Sequence, residues 1–144
     1  MSDNSSVSTK NSYSQALFEL SVENKNLENV EKEVLAIIEL IKENKYFKEL
    51  IKDPTIKNKE LSKAIVAISD KFKFNLILKK FLIFLISKRR LFYLEDILKI
   101  FLLICSKKRG EISAKLISSK DLTKDEIDNI KKEFSENFGS SIKL

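Results

Sequence analysis

A chain of 144 residues holds one domain, or one domain with a small appendage, and can bury roughly two-thirds of its unfolded surface without staples. With no histidine, no tryptophan, one cysteine, two glycines and one proline, it excludes histidine-dependent nucleophile systems, most zinc sites, a disulfide framework and a glycine-rich phosphate loop. Its net charge of +6 is concentrated in the middle: 12 basic against 3 acidic groups over residues 61–110, with near balance on either side.

Residues 1–12 are polar and without periodicity, which predicts a disordered tail. From Tyr13 an apolar stripe begins, with Ala16, Leu17 and Leu20 at helical spacing. A second helix follows Asn24 to Asn26, with Leu27, Val30, Val34, Ile37, Ile38 and Ile41 on one face. Tyr46, Phe47, Leu50 and Ile51 add further turns before Asp53-Pro54, where the residue preceding proline is pushed out of the helical region. Leu61, Ala64, Ile65, Ile68 and Phe72 repeat the helical template.

The segment 74–87 is apolar at nearly every position except Asn75, Lys79 and Lys80, the pattern of a helix in the middle of a bundle. After Lys88-Arg89-Arg90, a helix carries Leu94, Ile97, Leu98, Phe101 and Ile104 and ends at Lys107-Lys108-Arg109-Gly110, with cations in its last turn and glycine beyond.

Past Gly110 the period changes. Ile112, Ala114 and Leu116 alternate as in a strand. Thr123 to Glu126 is a capping box with Leu122 and Ile127 as its staple. The helix so started places Ile127, Ile130, Phe134 and Phe138 on one face, and Ile142 and Leu144 begin another strand. The expected fold is therefore mainly α: a disordered tail over 1–12, an N-terminal six-helix bundle over 13–108, and an incomplete small α/β domain over 109–144.

Function is read by elimination. Glu95-Asp96 are adjacent on a helix and point in different directions, so they make no acid/base pair. Cys105 lies within an apolar run and reads as core. No catalytic, cofactor or metal site is expected. The basic clusters at 88–90 and 107–109 leave a small basic nucleic-acid-binding module as the alternative. Both, however, sit at helix ends, where cations complement the macrodipole, and no aromatic residue interleaves with them. The longest apolar runs are six residues each, far short of the about 20 needed to span a bilayer. With no secretory or transit pattern at the start, a cytosolic address is expected. A third class is a protein-binding groove between the first helix and the helix at 74–87, sized for a partner's amphipathic helix.

The run Tyr13-Ser14-Gln15-Ala16-Leu17-Phe18-Glu19-Leu20-Ser21 resembles the Tyr-Ala-x-Ala-Leu-Phe-Glu-Leu-Ala opening of the delta subunit of rotary ATP synthase, the oligomycin-sensitivity-conferring protein family. Asp53-Pro54, Phe81-Leu82 with Leu85, Arg90-Leu91, Arg109-Gly110-Glu111, Leu122-Thr123 and Ile142-Lys143-Leu144 resemble its later markers in the same order. Arg89 stands where the family usually has glycine, and Ser21 where it has alanine. Members continue past the position of Leu144, so the resemblance implies a C-terminal domain lacking its end.

The resemblance implies a non-catalytic stator role, tying the catalytic head to the peripheral stalk on the cytoplasmic face of the bacterial inner membrane, with no cofactor and no direct membrane insertion. The implied partners are the N-terminal helix of the alpha subunit and the b subunit of the stalk, with no nucleic acid. The implied groove residues are Tyr13, Ala16, Leu17 and Leu20 from the first helix and Phe81, Leu82 and Leu85 from the helix at 74–87. Ala16 is expected to face the open groove, where Ala16→Asp leaves the bundle folded.

Overall fold

The structure is a computed structural model describing residues 2–110 and 124–136, with side chains from residue 7 onward. Seven helices follow one another among these residues: α1 (Ser2–Glu23), α2 (Leu27–Glu43), α3 (Lys45–Lys52), α4 (Asn58–Lys71), α5 (Leu76–Ser87), α6 (Leu94–Lys108) and α7 (Lys124–Phe134). A short 3-10 turn over Leu91–Tyr93 joins α5 to α6. The protein is mainly helical, and α1 to α6 are consistent with the six-helix bundle. The strands expected at 112–116 and 142–144, and Phe138, lie outside the described residues.

α5 occupies the interior. Ile77, Leu78, Phe81, Leu82, Phe84, Leu85 and Ile86 are all buried, because a helix apolar on most sides lowers its free energy only when surrounded. Asn75 caps it, accepting a hydrogen bond from the Ile77 amide at 2.8 Å. The Asn75 amide in turn donates to both carboxylate oxygens of Glu33 on α2, at 2.7 and 2.8 Å. α6 buries Leu94, Ile97, Leu98, Phe101, Ile104 and Cys105 against the same core. The stripe of α4 is narrower than its spacing suggests: Leu61 and Ile65 are buried, while Phe72 is about half exposed and stacks on Phe74.

The segment expected to be a disordered tail is corrected by α1, which is helical from Ser2. Its polar residues have partners elsewhere in the fold. Lys10 Nζ pairs with Asp96 Oδ2 at 2.8 Å, and Ser12 donates to Glu126 Oε1 at 3.2 Å. Ser14 donates to the Ile97 carbonyl of α6 at 2.7 Å. A polar stretch has no apolar period, so partners supplied from 80 or more residues away leave no local mark in the sequence.

Four helices end in the same backbone device, in which the residue after the cap takes a left-handed conformation: Lys25, Lys73, Arg89 and Gly110, with φ of 57°, 57°, 59° and 78°. For α5, the Arg89 amide bonds to the Ile86 carbonyl at 2.9 Å and the Arg90 amide to the Leu85 carbonyl at 2.8 Å, the paired bonds of a Schellman end. The position of Arg89 therefore needs a positive φ, which glycine adopts freely and arginine does not. That is a physical reason for the family's glycine there, and the corner keeps its geometry with arginine in place. Arg89→Gly is expected to raise stability by about 0.5–1 kcal/mol, read as a higher urea midpoint; a lowered midpoint would show the left-handed strain to be unimportant.

Cys105 is buried, and that burial, more than the nearby Glu31 carboxylate, pushes its thiol up to about 12. It is a packing residue, as its apolar surroundings predict. A thiol-specific reagent at pH 8 is expected to modify it only as fast as the bundle opens, with the labelling rate rising in urea alongside unfolding. Labelling at the rate of a free thiol would contradict this.

Candidate functional site

The seam between α1 and α5 is built from the residues that the sequence singles out. Tyr13 comes from the middle of α1, and its ring lies 6.4 Å from Phe81 and 6.0 Å from Phe84, centroid to centroid. Its hydroxyl accepts a hydrogen bond from Arg90 Nη1 at 2.9 Å, and the same guanidinium sits over the ring. Both the apolar body and the polar tip of Tyr13 are thus satisfied inside the chain. Ala16, Leu17 and Leu20 follow at helical spacing, and Phe81, Leu82 and Leu85 supply the α5 side.

All seven expected groove residues are buried, and Ala16, Leu17, Phe81 and Leu85 have no exposed surface at all. α1 is enclosed from several directions. α6 covers one side, where Ser14 meets Ile97 and Phe18 lies 6.4 Å from Phe101. The other side is covered by α7.

α7 is an amphipathic helix of eleven residues whose buried positions are Ile127, Ile130 and Phe134. The Phe134 ring meets Phe84 of α5 edge-on at 5.8 Å. Around this apolar line run polar contacts to both helices of the seam. Lys131 Nζ binds Glu19 Oε1 at 3.0 Å and also reaches Glu23. Glu126 accepts from Ser8 and Ser12 near the start of α1, and Glu133 pairs with Lys88 at the end of α5 at 3.1 Å. With Glu126 at the earlier part of α1 and Lys131 at the later part, α7 runs in the same direction as α1 and lies along the seam.

The electrostatics of that contact are mutually consistent. Burial pushes the Glu19 carboxyl up, but hydrogen bonds from Gln15 and Lys131 and the Lys131 charge outweigh it and leave its pKa lowered. Burial pushes the Lys131 ammonium down, but Glu23 and Glu19 outweigh that and raise it. A lowered glutamate stabilises the docked state above the ordinary glutamate range and loses that contribution as pH falls through its lowered value. A raised lysine does so below the ordinary lysine range and loses it as pH rises through its raised value. Both contributions are therefore complete around neutral pH.

Tyr13, Ala16, Leu17, Leu20, Phe81, Leu82 and Leu85 are brought together on neighbouring helices, beneath a cover that the sequence did not announce. The residues missed are Glu19, Glu23, Phe84, Lys88 and Arg90. One signal was available: Glu19 and Glu23 are like charges one helical turn apart, which is unfavourable on an isolated helix and calls for a cation. A cleft of about 310 Å3 lies elsewhere, between the turn after α3 and the α5–α6 corner, and none of the seven seam residues lines it.

Three members of the basic clusters have partners within the fold, while Arg89, Lys107 and Lys108 are exposed. Lys88 pairs with Glu133, Arg90 with Tyr13, and Arg109 with Glu31 at 2.8 Å. Among the described residues no helix is long and apolar enough to cross a membrane.

Comparison with known proteins places the chain in a family. The family described as ATP synthase delta (OSCP) subunit matches residues 9–144. The chain belongs to that family. It is 53% identical over 132 residues to ATP synthase subunit delta of Pelagibacter ubique (strain HTCC1062), covering 92% of this chain and 71% of the relative. It is 31% identical to the subunit delta of Dinoroseobacter shibae and 33% identical to that of a Jannaschia species, covering 100% and 99% of this chain and 78% and 77% of those relatives. No solved structure matches. As a member of the delta (OSCP) family, the chain is a structural, non-catalytic subunit of the ATP synthase peripheral stalk, peripheral to the membrane sector. Nothing supports the nucleic-acid alternative.

The burial of Ala16 corrects one expectation. With no exposed surface, it cannot take a charge in the free chain. Ala16→Asp is expected to cost at least about 3 kcal/mol of stability, measured by urea unfolding. A variant as stable as the parent would show that this face of α1 is open to water.

Proposed function

We propose that the α1–α5 seam is where this subunit grips the catalytic head, by receiving the N-terminal helix of the ATP synthase alpha subunit, while the remainder of the chain faces the b subunit of the stalk. The chain would then act as a tie that stops the head turning with the rotor, on the cytoplasmic face of the bacterial inner membrane. Residues 109–144 would belong to a small α/β domain in that assembly.

The observation that carries this reading is that an amphipathic helix, α7, already seats along the seam with Ile127, Ile130 and Phe134 buried. A surface that accepts three anchors at i, i+3 and i+7 accepts a partner helix presenting the same pattern. The rigid helices on both sides reduce the ordering cost of docking, which suits an interface that must resist torque without turning over. No bond is made or broken, so the performance of such a subunit lies in a slow dissociation rate.

A synthetic peptide of the alpha subunit's N-terminal helix is expected to bind the full chain with only weak salt dependence, measured by titration calorimetry at low and high salt. Apolar anchors dominate the contact, and few charges are at stake. Absence of binding would overturn this reading. A steep linear fall of log affinity with log salt would favour a polyanion partner.

A further inference from the structure

The structure places a helix of the chain itself in the seam assigned to a partner, and the inference below rests on that assignment. We propose that α7 is an internal stand-in for the partner helix: it holds the α1–α5 seam in the free subunit and is displaced by a helix with the same apolar spacing and a cation aimed at Glu19 and Glu23.

Three features carry it. First, α7 makes its contacts through one face, as a docked amphipathic helix does. Its apolar residues form a single line, Ile127, Ile130 and Phe134, while Lys124, Asp125, Glu126, Asp128, Asn129 and Lys132 are exposed. α5, by contrast, is buried on most sides.

Second, its hold is modest by construction. Three apolar side chains and a few partly exposed ion pairs must offset the ordering of eleven residues, so the docked and released states lie close in free energy.

Third, the rim of the seam specifies what can replace it. Lys131, one position beyond Ile130, meets Glu19 and Glu23. Glu133, two positions further, meets Lys88. A competing helix therefore needs apolar residues at i, i+3 and i+7, a cation at i+4 and an acid or a neutral group at i+6. One with an acid at i+4 would meet two glutamates and be rejected.

Displacement lowers the apparent affinity of any partner by the fraction of chains whose seam is open, and undocking α7 removes that penalty. The test uses the full chain and two α7 variants, Lys131→Glu and Ile130→Asp, neither of which alters a seam residue on α1 or α5. Hydrogen exchange is followed with and without the alpha-subunit N-terminal peptide.

In the parent chain, the peptide is expected to abolish protection of the amides of residues 127–134 while α1 to α6 stay protected. In both variants those amides are expected to exchange freely without peptide, and the peptide to bind about tenfold tighter or more. A peptide of residues 124–136 added in trans is expected to bind the variants and not the parent.

If α7 stays protected with the alpha peptide bound, or the variants bind it no more tightly than the parent, the stand-in role is overturned while the partner reading survives. If the alpha peptide binds none of the three but the 124–136 peptide binds the variants, the partner reading fails and α7 remains the holder of the seam. Full α7 protection in both variants would show that α7 is a fixed part of the bundle.

Discussion

The constraint on which the rest of this structure depends is the composition of α5. Its twelve residues include only two charged side chains, Lys79 and Lys80, at adjacent positions. Every other direction must be covered, and each neighbour supplies a matched apolar line: Val30, Val34, Ile37 and Ile41 from α2, Leu61 and Ile65 from α4, and Tyr13 with its companions from α1. Because one helix demands this much cover, the surrounding helices are fixed relative to one another. The seam between α1 and α5 inherits that rigidity.

A rigid seam is what a static coupling element requires. A stalk subunit transmits force without chemistry, and compliance at its grip would dissipate the torque it resists. Tyr13 illustrates how the seam is held. Its ring is wedged between Phe81 and Phe84 and its hydroxyl is bonded to Arg90, so a residue that could sit at an interface is locked by the fold behind it. What remains adjustable is the layer above. α7 touches α1 and α5 through one apolar line and a ring of ion pairs, the kind of contact that forms and breaks as a unit while the bundle beneath keeps its packing.

The helix ends show a second economy. Lys25, Lys73 and Arg89 occupy left-handed positions that glycine fills with less strain. In a chain with two glycines, the paired Schellman hydrogen bonds and the packing of the following helix hold these residues there. The cost is local and small against the burial that the corners make possible.

Much of this protein was legible in the sequence. The apolar period placed α2, α4, α5 and α6 and most of the core, because helical burial follows directly from spacing along the chain. The all-round apolar character of residues 74–87 put α5 inside, and Lys107 to Gly110 gave the end of α6. The residues of α1 and α5 that meet in the seam, and the family itself, were also readable from the order of short motifs.

Only the tertiary structure decided the rest, for a common physical reason: each feature depends on partners far apart in sequence. The helicity of residues 2–12 draws on Asp96, the partner of Lys10, and Glu126, the partner of Ser8 and Ser12. The burial of Ala16 depends on neighbours that close over both sides of α1. The use of Ile127, Ile130 and Phe134 was visible as a stripe, but the surface it would cover was not, because a period states that a face will be buried and says nothing of what buries it.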